Sequence, residues 1–506
     1  MRILLIYSNQ SREMEPAAPV GLSYVASASA IAGHEVKLLD LAFEHDTHTA
    51  LERAIKSFKP ELVGVSVRNI DNVISQRYVS PLQEIQAQIA VIRQHARLPD
   101  GRAVPISLGG PAISILAEQA LDVFGADYAI IGEGEVAFPA LVAAIQGQGD
   151  FSTISGLCYR VDGTLHRNPT VLLKSFSDSR MEDWVNWKPY QRGGGAWPIQ
   201  TKRGCPMSCS YCAYPQVEGL RCRRREAGEV VDEIERVQRK SGARTFEFVD
   251  STFNVPASHA IEICEEIIRR RIKANFTVMG LNPRDVPPEL FPVMKRAGFN
   301  SMLISAEAAC DPMLKSLSKG YTMREVNRCR EYAATSGITS SWFFMLGGPG
   351  ETMETCEESI RFAETQLVGK QFLSIFFTGI RILPGTRLAE QAVENGYLAA
   401  DTDLSDGHFY ISPEIDEKKV IARITRAHLR NACIVHASDG AITPALRRIY
   451  AGLDMLGVPG PYWRLLPNLL MFPPLRHFRN KYDPSLEEAR QQAAAEALAG
   501  AGAGSQ

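Results

Sequence analysis

Two successive series of short apolar runs, each run separated from the next by an amphipathic stretch long enough for a helix, constrain this chain more than any other feature. In the first series, residues 1–150, the spacing predicts strands at 2–7, 35–39, 62–67, 104–108 and 127–131. Helical patterns lie between or after them at 20–32, 47–58, 81–96, 113–124 and 135–145. Strands joined by helical crossovers run parallel and wind to the right, giving an α/β, doubly wound sheet of Rossmann or flavodoxin type. Ligands of such sheets sit at the carboxyl ends of the strands. A linker with short strands, 151–195, ends in Gly193-Gly194-Gly195, and the second series then begins. It predicts strands at 198–202, 245–249, 275–279, 301–305, 341–346 and 373–382, with helices in the gaps at 227–240, 259–271 and 352–367 among others. Six such units over 196–400 make a partial (β/α)6 barrel of TIM type, whose reactive groups belong at the C-terminal ends of its strands. Beyond residue 400 the strand rhythm stops. Residues 401–483 read as a helical cap, with helices at 418–436 and 443–456 and then an aromatic, basic, proline-rich stretch, and 484–506 as a disordered Ala/Gly tail.

Charge and composition exclude several classes. Lys and Arg total 55 against 57 Asp and Glu, a net charge of −2, a balance that argues against a dedicated nucleic-acid binder, which carries a basic excess on at least one domain. The apolar start MRILLIY is too short for a signal-peptide core and reads as a buried first strand. No apolar run is long enough for an integral membrane span. These features predict a cytoplasmic protein whose ten cysteines are reduced. Seven of them are scattered singly, as small core hydrophobes are.

The other three fall within eight residues as C-x3-C-x2-C: Cys205, Cys209 and Cys212, just after a predicted strand. Three thiolates in one loop can hold one face of a cubane cluster, whereas a 4Fe-4S cluster takes four ligands. The unclaimed iron is then open to a small chelating molecule. A structural zinc would need a fourth ligand such as His259 or His408 and normally a second Cys/His pair, which is absent.

The segment RGCPMSCSYCAYP resembles the signature of the radical S-adenosylmethionine (SAM) superfamily. The resemblance implies that Cys205, Cys209 and Cys212 hold a 4Fe-4S cluster whose fourth iron binds SAM. Ile304-Ser305-Ala306-Glu307 is similar to the family's Glu motif, and Leu346-Gly347-Gly348-Pro349-Gly350-Glu351 to its glycine-rich loop. Tyr211, Glu307, Gly347, Gly348 and Pro349 are therefore expected beside SAM. Arg381-Ile-Leu-Pro384-Gly385-Thr386 matches a common sixth-strand ending.

The first domain resembles the cobalamin-binding domain of one large subgroup, through PVGLSYVASAS, Gly109-Gly110-Pro111 and the run IIGEGE. The histidine motif that ligates cobalt in other cobalamin domains is missing; Ser8-Asn9-Gln10 stands there instead. The residues expected to line cobalamin are Ser8, Asn9, Ser66, Arg68, Asn69, Gly109, Gly110, Pro111, Gly132, Glu133 and Gly134. The combined resemblance implies a cobalamin-dependent radical SAM enzyme. It would methylate an unactivated carbon of a small or natural-product-like, hydrophobic substrate through a 5′-deoxyadenosyl radical and methylcobalamin, served by an external electron donor such as flavodoxin or ferredoxin. Ring formation or skeletal rearrangement with the same cofactors is the alternative, and a non-catalytic cobalamin or Fe–S sensor the alternative of another class. No residue is assigned as catalytic. The run Arg221-Cys222-Arg223-Arg224-Arg225 reads as a barrel-rim face, with substrate-anion binding by Arg223 and Arg225 as its alternative.

Overall fold

The computed structural model describes residues 1–10, 15–440 and 442–470; the expected tail at 484–506 and the cap from 471 onward lie outside the described residues. In the first domain, β1 (Arg2–Tyr7), β2 (Glu35–Asp40), β3 (Leu62–Ser66), β4 (Ile106–Gly109) and β5 (Tyr128–Ile130) form a parallel sheet in the order β2-β1-β3-β4-β5. Continuous apolar runs suit these strands because helices cover both faces. Leu4, Ile6, Val63 and Val65 pack with the helices Thr47–Phe58 and Leu82–His95, while Ile3, Leu5 and Tyr7 pack with Val20–Ile31 and Gly134–Ile145. The helix expected at 113–124 is split into Pro111–Leu116 and Gln119–Phe124, because Ala117 adopts a positive φ of 52°. Part of the expected linker continues the sheet: β6 (Leu157–Val161) and β7 (Thr164–Arg167) add an antiparallel hairpin at its edge. Its turn, Asp162-Gly163, has positive φ at both residues (47° and 81°), as a two-residue hairpin loop requires.

The second domain begins with β8 (Trp197–Ile199), followed by the short antiparallel pair β9 (Lys202–Arg203) and β10 (Arg223–Arg224). Next come β11 (Thr245–Phe248), β12 (Asn275–Val278), β13 (Ser301–Glu307), β14 (Thr339–Leu346) and β15 (Phe372–Thr378). The chain then forms β16 (Ile380–Arg381), its antiparallel partner β17 (Phe409–Tyr410), and β18 (Ile434–His436). Parallel pairing runs β8-β11-β12, crosses by bridges from Phe276 to Phe299 and from Leu281 to Ile304, and continues β13-β14-β15-β18. The arc therefore has a seventh strand, β18, at the end of the helix expected over 418–436. That helix stops at Arg430, where Asn431 turns extended (φ −136°), and residues 434–436 pair with 374–376. Pairing with an open sheet edge overrides the local helical pattern there.

Alternate residues of the barrel strands show what the arc encloses. Phe246, Phe248, Ile304, Phe344 and Phe376 are fully buried against the surrounding helices. Their neighbours Glu247, Leu303, Ser305, Phe343, Met345, Ile375 and Phe377 are partly exposed, although they sit in the middle of paired strands. Successive side chains of a strand point to opposite faces, so this second set lines an internal cavity. The two domains meet at their strand ends and are pinned at two poles. At one, Asp71, after β3, pairs with Arg381 on β16 at 2.6 Å, and Ser75 and Gln76 donate to the Thr378 carbonyl. At the other, Glu133, after β5, pairs with Arg203 on β9 (2.8 Å) and Arg223 on β10 (2.7 Å). The carboxyl ends of the first sheet therefore face the mouth of the barrel. No helix among the described residues is long and apolar enough to cross a membrane.

Candidate active site

The cysteine loop leaves β9 through Gly204, whose φ is 90° and where a Cβ would lie 2.3 Å from the Arg221 carbonyl oxygen. Only glycine passes through that reversal. The loop is then tied on several sides: Cys205 N–H donates to the Gly219 carbonyl, Ser210 N–H to Leu317, and Leu388 N–H to Ser210. Asp250, at the end of β11, fixes the approach to it. One of its oxygens accepts from Thr201 N–H (2.7 Å) and Lys202 N–H (3.1 Å), the other from the Thr201 hydroxyl (2.6 Å). It anchors the strand before the thiols and caps no helix.

All three thiols are free, and each lies within electrostatic range of another. Burial raises the Cys205 thiol and drives Cys212 up to about 12. Thiols held this way need a bound cation to ionise, which an iron cluster supplies. Among the described residues no three His, Cys, Asp or Glu side chains converge closely enough to hold a single metal ion. His259 Nε2 lies 3.0 Å from the Arg225 carbonyl, and burial lowers its pKa to about 4.

Next to this loop lies a buried polar knot. Tyr211 Oη donates to Glu307 Oε1 at 3.0 Å, and Lys319 Nζ lies 3.0 Å from Tyr211 Oη and 3.4 Å from Glu307 Oε1. Glu307 ends β13 at a break in register and holds a positive φ of 66°, the kind of strain that concentrates at functional sites. Ala306 beside it is fully buried, and its carbonyl accepts from Tyr321 Oη at 3.1 Å. Burial alone would lower the Lys319 ammonium, but Tyr211, Tyr321 and Glu307 outweigh it and hold the group well above its ordinary range. The glycine-rich loop follows β14. Its Gly347 and Gly348 N–H groups both donate to Glu351 Oε2, at 2.6 and 3.0 Å, and the Pro349 carbonyl accepts from Ser316 Oγ. Burial raises the Glu351 carboxyl to about 7.

On the facing domain, Ser8 Oγ donates to the Ser66 carbonyl at 2.7 Å, and Asn9 Nδ2 to Tyr7 Oη at 3.1 Å. Gly109 ends β4. Gly110 has φ 101° and approaches Val67 so closely that a Cβ would sit 2.6 Å from its carbonyl oxygen. Pro111 opens the next helix; Gly132 N–H donates to Ser114 Oγ at 2.9 Å, and Gly134 opens the helix after it. The Glu133 carboxylate is fully engaged with Arg203, Arg223 and the Leu173 N–H. Arg68 lies beside its neighbour Asn69 and acts electrostatically on Tyr7 of its own domain and on Glu247 and Tyr214 across the gap. The two arginines considered for anion binding are consumed: Arg223 holds Glu133 and the Leu173 and Glu218 carbonyls, and Arg225 holds Glu233 and the Gln200 carbonyl. Both serve the domain structure, which corrects the anion-site alternative.

Between the two faces, the barrel cavity has an aromatic wall, where Phe343 and Phe377 approach at 6.2 Å between ring centres. Its acidic side is Glu247, raised by burial to about 7. Glu15, from the loop after β1, interacts with Glu247, is itself raised by burial to about 8, and keeps Oε1 without a hydrogen-bond partner. A separate cleft of about 630 Å³ follows the seam, bordered by Ser114 and Ile131 of the first domain and by Gln216, Pro384 and Gly385 of the second. Lys319 and the inter-domain carboxylate Asp71 were not singled out in the sequence. The Ser318-Lys319-Gly320 turn, with positive φ at residues 318 and 320, was the only local signal for the first.

Family comparisons agree with this layout. Residues 199–363 match the model of the Radical SAM superfamily and residues 15–142 that of the B12 binding domain. The chain is 26% identical over 388 residues to an uncharacterized methyltransferase of Pyrococcus horikoshii, covering 75% of this chain and 79% of that one. It is 26% identical over 460 residues to the tryptophan 2-C-methyltransferase of Streptomyces laurentii, covering 78% and 74%. In structure it is similar to the radical S-adenosylmethionine methyltransferase TsrM from Kitasatospora setae, solved with cobalamin and a 4Fe-4S cluster bound. The TM-score is 0.75 at 24% identity, covering 98% of this chain and 99% of that one.

Proposed function

We propose that this chain, which matches the Radical SAM superfamily over 199–363 and the B12 binding domain over 15–142, methylates an unactivated carbon of a small, largely hydrophobic substrate held inside the barrel. The observation that carries the reading is the confrontation of the two strand-end faces, pinned at Asp71–Arg381 and at Glu133–Arg203–Arg223 around the barrel mouth. Two cofactors that serve one substrate atom must be held against each other, and this seam is where the chain can do it. When bound, the cluster with SAM supplies one-electron chemistry, and cobalamin supplies a transferable methyl group.

The chain's own residues then have definable tasks. Cys205, Cys209 and Cys212 hold the iron. Tyr211 and Glu307, with the backbone of Gly347, Gly348 and Pro349, shape the SAM side. Ser8, Asn9, Ser66, Arg68, Asn69 and the backbone of Gly109, Gly110, Pro111, Gly132, Glu133 and Gly134 shape the cobalamin side. Because Gly347 and Gly348 already give their N–H groups to Glu351, the loop offers SAM a rigid surface rather than free donors. Phe343 and Phe377 provide a stacking wall for an aromatic or otherwise apolar substrate. Glu247 and Glu15, both raised by burial, can accept from or donate to its polar groups. Closure of the seam keeps water from the reacting centre. An external one-electron donor such as flavodoxin or ferredoxin completes the system.

The test is anaerobic turnover of the reconstituted protein with methyl-deuterated SAM against a panel that includes tryptophan and other aromatic small molecules. Methylation gives a product heavier by the labelled methyl, together with S-adenosylhomocysteine and 5′-deoxyadenosine. 5′-Deoxyadenosine without S-adenosylhomocysteine would replace this reading with ring formation or rearrangement. Absence of both SAM-derived products under reduction would favour the sensor.

A further inference from the structure

We propose that Lys319 is the counter-cation of the thiolate-bound cluster and sets the potential at which it accepts an electron. The inference rests on the cluster half of the functional reading and is independent of what is methylated. Lys319 is fully buried, and a buried ammonium is costly unless charge is brought to it. Among the described residues the carboxylate paired with it is Glu307, at 3.4 Å, and the same oxygen already accepts from Tyr211. That is a loose pairing for so deep a cation.

Its Nζ instead sits 3.0 Å from Oη of Tyr211, which lies between Cys209 and Cys212 in the cysteine loop, and the field of the ammonium reaches Cys205 and Cys212. Its position is built in. Leu317 accepts from the Ser210 N–H of the cysteine loop at 3.1 Å, and Lys319 N–H donates to the Leu314 carbonyl at 2.9 Å. Ser318 and Gly320 on either side hold positive φ (55° and 69°), a backbone turn that delivers the side chain inward. The other buried lysine nearby, Lys202, is arranged differently. Asp250 partly offsets its burial, and its Nζ donates to the Phe253 carbonyl at 2.5 Å. A cluster on three thiolates is anionic and becomes more so by one unit on reduction, so a fixed cation packed against the cysteine loop favours the reduced state. No bond is made or broken and no proton moves: one electron enters from the external donor while Lys319 stays charged.

The experiment is an EPR-monitored redox titration of the full-length reconstituted protein, without SAM or substrate, with iron counted in each variant. In Lys319→Met the potential should fall enough to lower the ratio of reduced to oxidised cluster at least tenfold at a fixed solution potential, about 59 mV for one electron. Lys319→Arg should stay within threefold of the native ratio. Glu307→Gln, which removes a negative charge and leaves the lysine, should move the potential the opposite way. A residue that merely supports the fold would shift Lys319→Met and Glu307→Gln in the same direction or not at all, and either result with iron intact overturns the proposal. Loss of iron in both Lys319→Met and Lys319→Arg overturns it too, in favour of a structural role. A native protein that binds no iron would instead refute the cluster reading, a separate failure.

Discussion

The two sides of the seam are built on different principles. On the barrel side, chemistry is carried by side chains: three thiols, the Tyr211–Glu307–Lys319 knot and Asp250 gripping the strand before the loop. On the opposite side it is carried by backbone. Gly110 and Gly132 turn through positive φ, the Ser8 hydroxyl donates to the Ser66 carbonyl, and the charged side chains Asp71 and Glu133 reach across to hold the other domain. A surface of this second kind recognises a large ligand by shape, and its charged residues are free to act as fasteners. The comparison teaches that the same sequence position, the end of a parallel strand, can be spent on coordination or on assembly.

Substitutions on each side test that contrast. The largest effect belongs to the thiols: Cys205→Ser, Cys209→Ser or Cys212→Ser should lower bound iron from about four atoms per chain to almost none. Cobalamin uptake, followed by its visible absorbance, should persist in the same variants. If cobalamin is lost with the iron, the two sides are not separable. Next come the fasteners. Asp71→Ala leaves Arg381 buried without its partner and should destabilise the fold by about 3–5 kcal/mol in denaturant unfolding. The Asp71→Leu/Arg381→Met pair should recover much of that loss, because it strands no charge.

Acidity provides a third test. Burial raises the Glu351 carboxyl from 4.5 to about 7, so the folded state binds its proton more tightly than the unfolded chain does. Stability should therefore decline as pH rises from about 4.5 to about 7, by up to about 3 kcal/mol, and then level off. In Glu351→Gln that portion of the slope should vanish, as read from unfolding midpoints across the range. The smallest effect is Gly110→Ala, where a Cβ would meet the Val67 carbonyl oxygen at 2.6 Å with φ at 101°. It should cost about 1–3 kcal/mol and weaken cobalamin uptake without altering iron content.

Much of this was legible in the chain because it is local. The thiol spacing, the alternation of strands and helices and the glycine-rich turns each write their pattern within a few residues. β1 runs over Arg2–Tyr7 and the second helix over Thr47–Phe58, as the periodicity predicts. What escaped depends on distance. The carboxylate of Glu133 reads locally as part of a ligand loop, yet its partners are 70 and 90 residues away. Asp71 and Arg381 are 310 apart, and neither neighbourhood announces the other. β18 escaped for a related reason: residues 434–436 become a strand only because β15 presents an unpaired edge. Lys319 escaped because a lone lysine beside a glycine looks like a surface turn until the fold buries it.

The fasteners bear on modularity. Cobalamin-binding and barrel domains invite recombination between relatives, whether by evolution or by an engineer seeking new substrates. A graft of the first domain that carries Glu133 and Asp71 into a barrel lacking Arg203, Arg223 and Arg381 would set two carboxylates against an apolar seam, and the reverse graft would strand three guanidiniums. Either chimera would retain each domain's fold while misaligning the domains. The natural unit of exchange is therefore a domain together with the three arginines it expects, so that five residues, scattered over more than 300 positions of sequence, have to be inherited as one.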